Sequence, residues 1–254
     1  MPMRGCLRED PRRTHLLRTV RAYKPASELQ AGCVQPIRRL RDQRDTSSCV
    51  GQALASGIHA ILGIDVSATQ IWTGARRREG ELENIHEGTH VSAAVEEITR
   101  RGIAQYTKGE ESDWNSFSAR PSLKDELLAD DQRIGRALDH HVTVGSVDAQ
   151  RTAIADALNR DRVVVWSTGV TDAYCEHRAD TLVTDAEVGA TSDGHAQRVF
   201  AWFPAIDCFG VVNSWGKNWA GFARDGADYH GCVLVPAATL IRRAWDIWIV
   251  QVKP

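Results

Sequence analysis

Apolar positions in the first half of the chain recur at the spacing of helical faces. Residues 50, 54, 58, 61 and 62 would lie on one side of a helix that begins at Cys49. The same reasoning predicts helices over 49–62, 68–79 and 90–101, and a short one over 122–129. Serine or threonine stands before each of the first three as a candidate N-cap, at Ser47 or Ser48, at Ser67 and at Thr89. The first half is therefore predicted to be mainly helical.

The second half changes to short apolar runs rich in Val, Ile, Phe and Trp. Strands are predicted over 142–144, 163–166, 195–203, 208–213, 230–235 and 246–252, with one helix over 148–159. Together the two halves predict an α+β fold, with a helical lobe over about 41–139 and a β-rich lobe over about 140–254. Residues 1–33 lack periodicity and are predicted to form an N-terminal arm. A cleft between two such lobes is a common place for a functional site.

Composition narrows the classes of partner. The chain has 254 residues, with 31 basic against 33 acidic side chains and a formal net charge of -2. This balance gives no electrostatic reason to expect a nucleic acid or an anionic membrane as partner. The N-terminus lacks the apolar run of a secretory signal, and no later run approaches a membrane span. We expect a soluble protein that is cytoplasmic or exported by a non-classical route.

Six cysteines are spread along the chain without a CxxC pair, which fits neither a disulfide scaffold nor a zinc ribbon. Cys49 differs from the others because it falls at the predicted N-terminus of a helix. Unpaired N–H groups and the helix dipole favour a thiolate there, so we expect a lowered pKa. If Cys49 is catalytic, five cysteines remain, and this odd number mildly favours a reducing compartment.

Three segments place this cysteine in a recognisable context. Residues 41–49 (RDQRDTSSC), 193–196 (DGHA) and 212–216 (VNSWG) resemble, in order, the three signature blocks of the papain family of cysteine peptidases. The resemblance implies a papain-like two-lobed fold, with a helical left lobe and an antiparallel sheet or barrel as right lobe. It assigns four roles: Cys49 as nucleophile, His195 as base, Asn213 as the histidine's orienter and Gln43 in the oxyanion hole. No metal or organic cofactor is implied.

The resemblance also implies how a substrate binds. Gly88 and Thr89, followed by a helix, are similar to the family segment whose backbone holds an extended protein or peptide substrate. Thr89, His90 and Gly194 would border the main side-chain pocket, with Val164 or a neighbour at its floor. Trp215 would shield the hydrogen bond between His195 and Asn213. The natural substrate and the oligomeric state stay open.

The chain departs from the family pattern around the nucleophile. Arg44 and Ser48 stand where the family usually has glycine, Thr46 where it has a cysteine, and Val50 where it has an aromatic residue. Ala220 also replaces a common glycine. The 48 residues before Cys49 are too few for the usual inhibitory pro-region plus the mature N-terminal strand. Inhibition by residues 1–30 is a hypothesis suggested by the basic arm.

Three alternatives to a cysteine peptidase were weighed. His86 to His90 (HEGTH) matches the zinc-peptidase pattern, which needs both histidines on one continuous helix. Gly88 disfavours that helix and Thr89 is predicted to cap a later one, so zinc catalysis is not expected. The remaining alternatives are a catalytically impaired papain-fold protein that binds peptides, and a papain-like acyl transferase that uses the same thioester chemistry.

Overall fold

The computed structural model describes residues 5–8, 32–80, 87–106, 136–189 and 191–253. The helix predicted over 122–129 lies outside these residues. Within them, no helix has both the length and the apolar character needed to cross a membrane.

Three helices follow one another in the first half, as the apolar spacing predicts. They are α1 (Cys49–Leu62), α2 (Ala68–Glu79) and α3 (Val91–Arg101). Helix α1 packs tightly against the sheet, because a Cβ on Gly57 would lie 2.3 Å from the Val163 side chain. Below the helix, the buried guanidinium of Arg198 donates hydrogen bonds to the backbone oxygens of Ser56 and Pro36, both at 3.2 Å. Burial lowers the pKa of Arg198 to about 9.

The start of α3 differs by one residue from the sequence prediction. The N-cap is His90, and the helix begins at Val91. Thr89 does not cap the helix, because its hydroxyl instead donates to Oε2 of Glu79 at 2.5 Å. A contact from the preceding helix therefore outweighs the local capping preference of threonine.

One antiparallel sheet of seven strands forms the second half. Its order is β2-β9-β3-β4-β5-β8, and β1 pairs with β4. The strands are β1 (Cys33–Val34), β2 (Arg136–Val142), β3 (Val163–Gly169), β4 (Gly194–Phe203), β5 (Cys208–Val212), β8 (Cys232–Pro236) and β9 (Ala244–Lys253). One face of the sheet meets α1, and the helix α4 (Val147–Asn159) packs against the other. This mixed arrangement confirms the predicted α+β class.

Several elements of the second half were not predicted. A separate hairpin joins β6 (Gly221–Arg224) to β7 (Ala227–His230), and the short helices α5 (Asp172–Cys175) and α6 (Ala237–Arg243) lie in predicted connections. The predicted strand over 142–144 overlaps only the last residue of β2, and Val144 is exposed. Elements of this length are too short to show a recognisable period of apolar residues in the sequence.

Two departures from the family pattern adopt a glycine-like backbone. Arg44 has φ 48° and Ala220 has φ 47°, both in the left-handed region. An L-residue in this region costs about 1–2 kcal/mol, whereas glycine enters it freely. Both residues therefore hold a conformation that glycine would adopt at a lower cost in stability.

We predict that Arg44→Gly stabilises the protein by about 0.5–1 kcal/mol, because the exposed side chain loses no packing while the strain disappears. The free energy of unfolding in urea measures this. The matched control is Arg100→Gly on the exposed side of α3, which should destabilise by about 1 kcal/mol. A loss of stability in Arg44→Gly would show that the strain is absent.

Candidate active site

The loop before α1 is paired with the loop after β5. The Gln43 N–H donates to the Ser214 carbonyl at 2.8 Å, and the Gly216 N–H donates to the Arg41 carbonyl at 3.0 Å. The Gln43 side chain accepts a hydrogen bond from the Ser214 hydroxyl at 2.6 Å. Two predicted site segments that lie far apart in sequence are thereby held side by side.

Cys49 is the first residue of α1 and is fully buried. Backbone N–H groups of Ala196, of Val50 and of Cys49 itself point at its sulphur. Because Ala196 directly follows His195 on β4, the thiol lies against the strand that carries the predicted base. The structure thus brings the predicted nucleophile to the strand of its predicted partner.

His195 is held by Asn213 and Trp215. Its Nε2 lies 2.6 Å from Oδ1 of Asn213, and its ring stacks on Trp215 with centroids 4.5 Å apart. Trp215 in turn packs edge-on against Trp219 and Tyr174, at 5.0 and 6.0 Å. The aromatic cover keeps water from the His–Asn hydrogen bond.

Residues 5–8, here called the cleft segment, run between the two sides of this site. The Thr89 N–H donates to the Gly5 carbonyl at 2.8 Å, and the Leu7 N–H donates to the Thr89 carbonyl at 3.1 Å. On the other side, the Cys6 N–H donates to the Gly194 carbonyl at 3.0 Å. The cleft segment is thus bound through its backbone in an extended form. It runs in the same direction as the chain around residue 89, with which it forms a parallel bridge.

Glycines make this close approach feasible. A Cβ on Gly88 would lie 1.7 Å from the Gly5 oxygen, and one on Gly194 would lie 1.8 Å from the Cys6 oxygen. A Cβ on Gly5 itself would lie 2.1 Å from the Ser47 oxygen. Three of the predicted substrate residues, Gly88, Thr89 and Gly194, therefore line a surface that accepts extended backbone.

The cleft segment also reaches the predicted nucleophile. The backbone N–H of Gly5 points at the Cys49 sulphur. The segment therefore covers the thiol with one of its amide groups.

Burial changes the acidity of the nucleophile. Removal from water raises the pKa of the Cys49 thiol to about 11, although the surrounding N–H groups act in the opposite direction. The sequence expectation of a lowered pKa is therefore wrong for this covered state. The helix N-terminus is present as predicted, but desolvation outweighs it.

Glu79 is a site residue that the sequence analysis missed. Its carboxylate accepts hydrogen bonds from the Thr89 hydroxyl, from the His90 backbone and from Nδ1 of His90, the last at 2.5 Å. Burial alone would raise the pKa of Glu79, yet these hydrogen bonds bring it below its ordinary value. The end of α2 thus anchors residues 89 and 90, which are predicted to border the substrate pocket, and no sequence spacing indicates this.

The prediction placed Val164 or a neighbour at the pocket floor, and Val164 itself does not fit. Val164 lies in the cluster that packs against α4, whereas Val163 and Val165 belong to the cluster that contains Cys6 and Cys49. Alternate residues of a strand face opposite sides, so Val164 points away from the cleft. A partly exposed aromatic residue lies close to Gly194, because a Cβ on Gly194 would lie 2.4 Å from the Trp245 ring.

The zinc-peptidase pattern does not occupy one helix. Helix α3 begins at Val91, after His90, and His86 lies outside the described residues. Among the residues described, no cluster of His, Cys, Asp or Glu could hold a metal ion.

Solved structures were compared with this architecture. Xylellain, a cysteine protease from Xylella fastidiosa, is similar with a TM-score of 0.71 and 17% identity, over 98% of this chain and 95% of that one. ProCathepsin B S9 from Trypanosoma congolense gives 0.66 and 14%, over 99% of this chain and 87% of that one. Digestive procathepsin L 3 of Tenebrio molitor gives 0.63 and 14%, over 91% and 74%. This chain has the papain-like fold.

Sequence comparison adds nothing to this assignment. No protein-family model matches the chain, and no curated protein does. The papain-like fold is therefore shown by structure alone, and the roles of its residues rest on the geometry of the site.

We predict that thiol reagents label Cys49 of the full-length protein slowly at neutral pH, and that the rate rises about tenfold per pH unit up to about pH 11. Only the thiolate reacts, and the raised pKa keeps it scarce. Peptide mapping after timed alkylation measures the rate, with Cys49→Ala as control. A rate that is flat between about pH 6 and 9 would show that the thiolate is already formed in the covered state.

Proposed function

We propose that the protein is a cysteine peptidase that hydrolyses peptide bonds through Cys49, His195 and Asn213. The observation that carries the proposal is the joint geometry of two features. A thiol at a helix N-terminus lies against the strand that carries a histidine, and this histidine is held by Asn213 and covered by Trp215. Next to it, Thr89 and Gly194 already bind an extended backbone.

The chemistry follows from the roles of these groups. His195 takes the proton of the Cys49 thiol, and the thiolate attacks a peptide carbonyl carbon. The oxyanion that forms accepts hydrogen bonds from the Cys49 N–H and the Gln43 side-chain amide. His195 gives its proton to the departing amine, which leaves a thioester on Cys49. His195 then takes a proton from water as the water attacks the thioester, and the acid product and the free thiol are released.

The environment of Gln43 supports its part in this scheme. Its Oε1 accepts from Ser214, and its Nε2 donates to the Thr46 carbonyl at 2.8 Å. Both ends of the amide are therefore fixed within a buried loop, ahead of the nucleophile. A donor held in this way needs no reorganisation when charge develops on the substrate oxygen.

The cleft segment is proposed to keep the peptidase inactive. It occupies the backbone-binding surface and covers the thiol, whose burial raises the pKa of Cys49. This gives the hypothesis of an inhibitory arm a definite contact region, at residues 5–8.

A papain-fold protein that binds peptides without cleaving them is the second candidate. The observation in its favour is that the cleft is filled and the thiol buried and neutral. An acyl transferase would share the thioester step and differ in its acceptor. Release of the cleft segment separates the candidates, because hydrolysis, capture of an added amine and binding without turnover are three different readouts.

We predict that Gly5→Val in the full-length chain displaces the cleft segment, because a side chain there collides with the Ser47 backbone. Overpacking of this kind costs about 1–3 kcal/mol, so labelling of Cys49 by an epoxide inhibitor and cleavage of a peptide library should rise about tenfold or more. Leu7→Val, which changes an exposed side chain of the same segment, serves as the control. Equal labelling in the two variants would exclude inhibition by this segment.

In the Gly5→Val background, the proposed roles predict a graded loss of kcat. Cys49→Ala should abolish turnover, His195→Ala should remove most of the rate, and Asn213→Ala should cost less because it removes an orienter and not a reactant. Gln43→Ala should lower kcat about 100-fold through loss of an oxyanion donor. Full turnover in Cys49→Ala, or activity that a chelator abolishes, would refute the proposed function.

A further inference from the structure

The peptide unit that joins Thr89 to His90 makes a hydrogen bond on each of its two sides. Its carbonyl accepts from the Leu7 N–H at 3.1 Å, and its N–H donates to Oε1 of Glu79 at 3.1 Å. The peptide bond is trans, so the C=O and the N–H point in opposite directions. A group that holds the N–H therefore also aims the carbonyl, here at the cleft segment.

The Glu79 carboxylate is held in place by the same two residues. An ionised carboxylate has no proton to give, so its contacts with Thr89 and His90 are donated by those residues. The Thr89 hydroxyl reaches Oε2 and Nδ1 of His90 reaches Oε1, both at 2.5 Å. The side chains on either side of the peptide unit thus fix the acceptor of its N–H.

Glu79 carries its charge in an unfavourable place. It is the last residue of α2, where the helix dipole disfavours an anion, and its side chain is only 9% exposed. Burial acts against ionisation, yet the hydrogen bonds from residues 89 and 90 keep the pKa of Glu79 below its ordinary value. Hydrogen bonds to an ionised group are about twice as strong as neutral ones. The contact therefore holds residues 89 and 90 more firmly than a neutral acceptor would.

The main-chain groups of Thr89 are the ones that meet an extended chain. Its N–H donates to the Gly5 carbonyl at 2.8 Å, and its carbonyl accepts from Leu7. A peptide substrate laid along this surface would use the same N–H and the same carbonyl. The cleft segment and a substrate would thus share one acceptor, and Glu79 sets its direction.

We propose that Glu79 is a positioning residue for extended chains. Its carboxylate orients the peptide unit 89–90 so that the Thr89 carbonyl can bind the backbone of the cleft segment or of a peptide substrate. The part that concerns substrates rests on the proposed peptidase function. The part that concerns the cleft segment does not, because the contact between Leu7 and Thr89 is present in the structure.

Kinetics in the Gly5→Val background test the effect on substrates. Glu79→Met keeps the length of the side chain and removes both oxygens, so KM for an extended peptide should rise about tenfold while kcat changes less than about twofold. Glu79→Gln keeps one carbonyl oxygen, and its KM should lie between the two. An unchanged KM, or a loss confined to kcat, would overturn the positioning role.

Peptides with one amide replaced by an ester show whether Glu79 acts through the Thr89 carbonyl. An ester has no N–H, so the peptide that lacks the donor to this carbonyl should already bind about tenfold more weakly in the Gly5→Val background. For that peptide alone, Glu79→Met should add almost nothing, since both changes remove the same hydrogen bond. Full additivity for every ester position would overturn this route.

Labelling of Cys49 in the chain with native Gly5 tests the effect on the cleft segment. A small alkylating reagent is suitable because it does not use the substrate surface. Glu79→Met should speed up labelling about fivefold or more, since the cleft segment loses a well-directed acceptor. The same substitution thus weakens substrate binding and exposes the nucleophile. An unchanged labelling rate would overturn this part of the proposal.

Glu187 offers a matched control. Its carboxylate accepts from Nδ1 of His177, from the Thr184 hydroxyl and from the Thr184 backbone N–H, which are the same three kinds of donor. It lies in the connection before β4, outside the residues predicted to bind substrate. Glu187→Met should lower the free energy of unfolding but leave KM and the labelling rate unchanged. Equal changes in the two methionine variants would mean a general loss of stability and would overturn the positioning role.

The two proposals fail in different ways. If Gly5→Val shows neither labelling nor cleavage, the peptidase proposal fails, and alkylation of Glu79→Met with native Gly5 still decides whether Glu79 holds the cleft segment. If Gly5→Val is active but Glu79→Met leaves KM unchanged, the positioning role fails and the peptidase proposal stands.

Discussion

The backbone pairing between residues 41–43 and 214–216 is the contact on which the site depends. Helix α1 begins a few residues after Gln43, and β5 ends just before Asn213, so this pairing sets the helix N-terminus against the end of the sheet. The register of β4 against β5, with Arg198 opposite Val212, then brings His195 alongside Asn213. Cys49 and His195 lie far apart in the sequence. The two hydrogen-bonded loops and the register of β4 against β5 determine where they lie in the structure.

Much of this arrangement could be predicted, because it is encoded locally. Helices α1 and α2 have the predicted bounds, and the bounds of β4 and β9 differ from the predicted ones by one or two residues. Long apolar runs with clear ends are predictable because they depend little on distant contacts. The papain-like fold was predicted from three short blocks and is confirmed by the solved structures. Thr89 was assigned wrongly as a cap because Glu79 competes for its hydroxyl, and Val164 was assigned to the wrong face because helix α4 covers that side of the sheet.

The contacts of the cleft segment could not be predicted from a pattern of side chains in the sequence. Its contacts with Thr89 and Gly194 are made by backbone N–H and C=O groups, which every residue except proline carries. Binding of the cleft segment therefore depends on Gly5, Gly88 and Gly194, where the backbones approach closely. It does not depend on a periodic set of side chains.

Covering the cleft and ionising the thiol oppose each other. Burial raises the pKa of the Cys49 thiol to about 11, so the neutral thiol is preferred while the sulphur is shielded from water. A movement that returns the sulphur to water removes this preference, and by linkage the thiolate disfavours the buried arrangement. The stability that comes from burying the neutral thiol is therefore present at low pH and is lost as the pH rises. Access to the cleft and the reactivity of its nucleophile are thereby coupled.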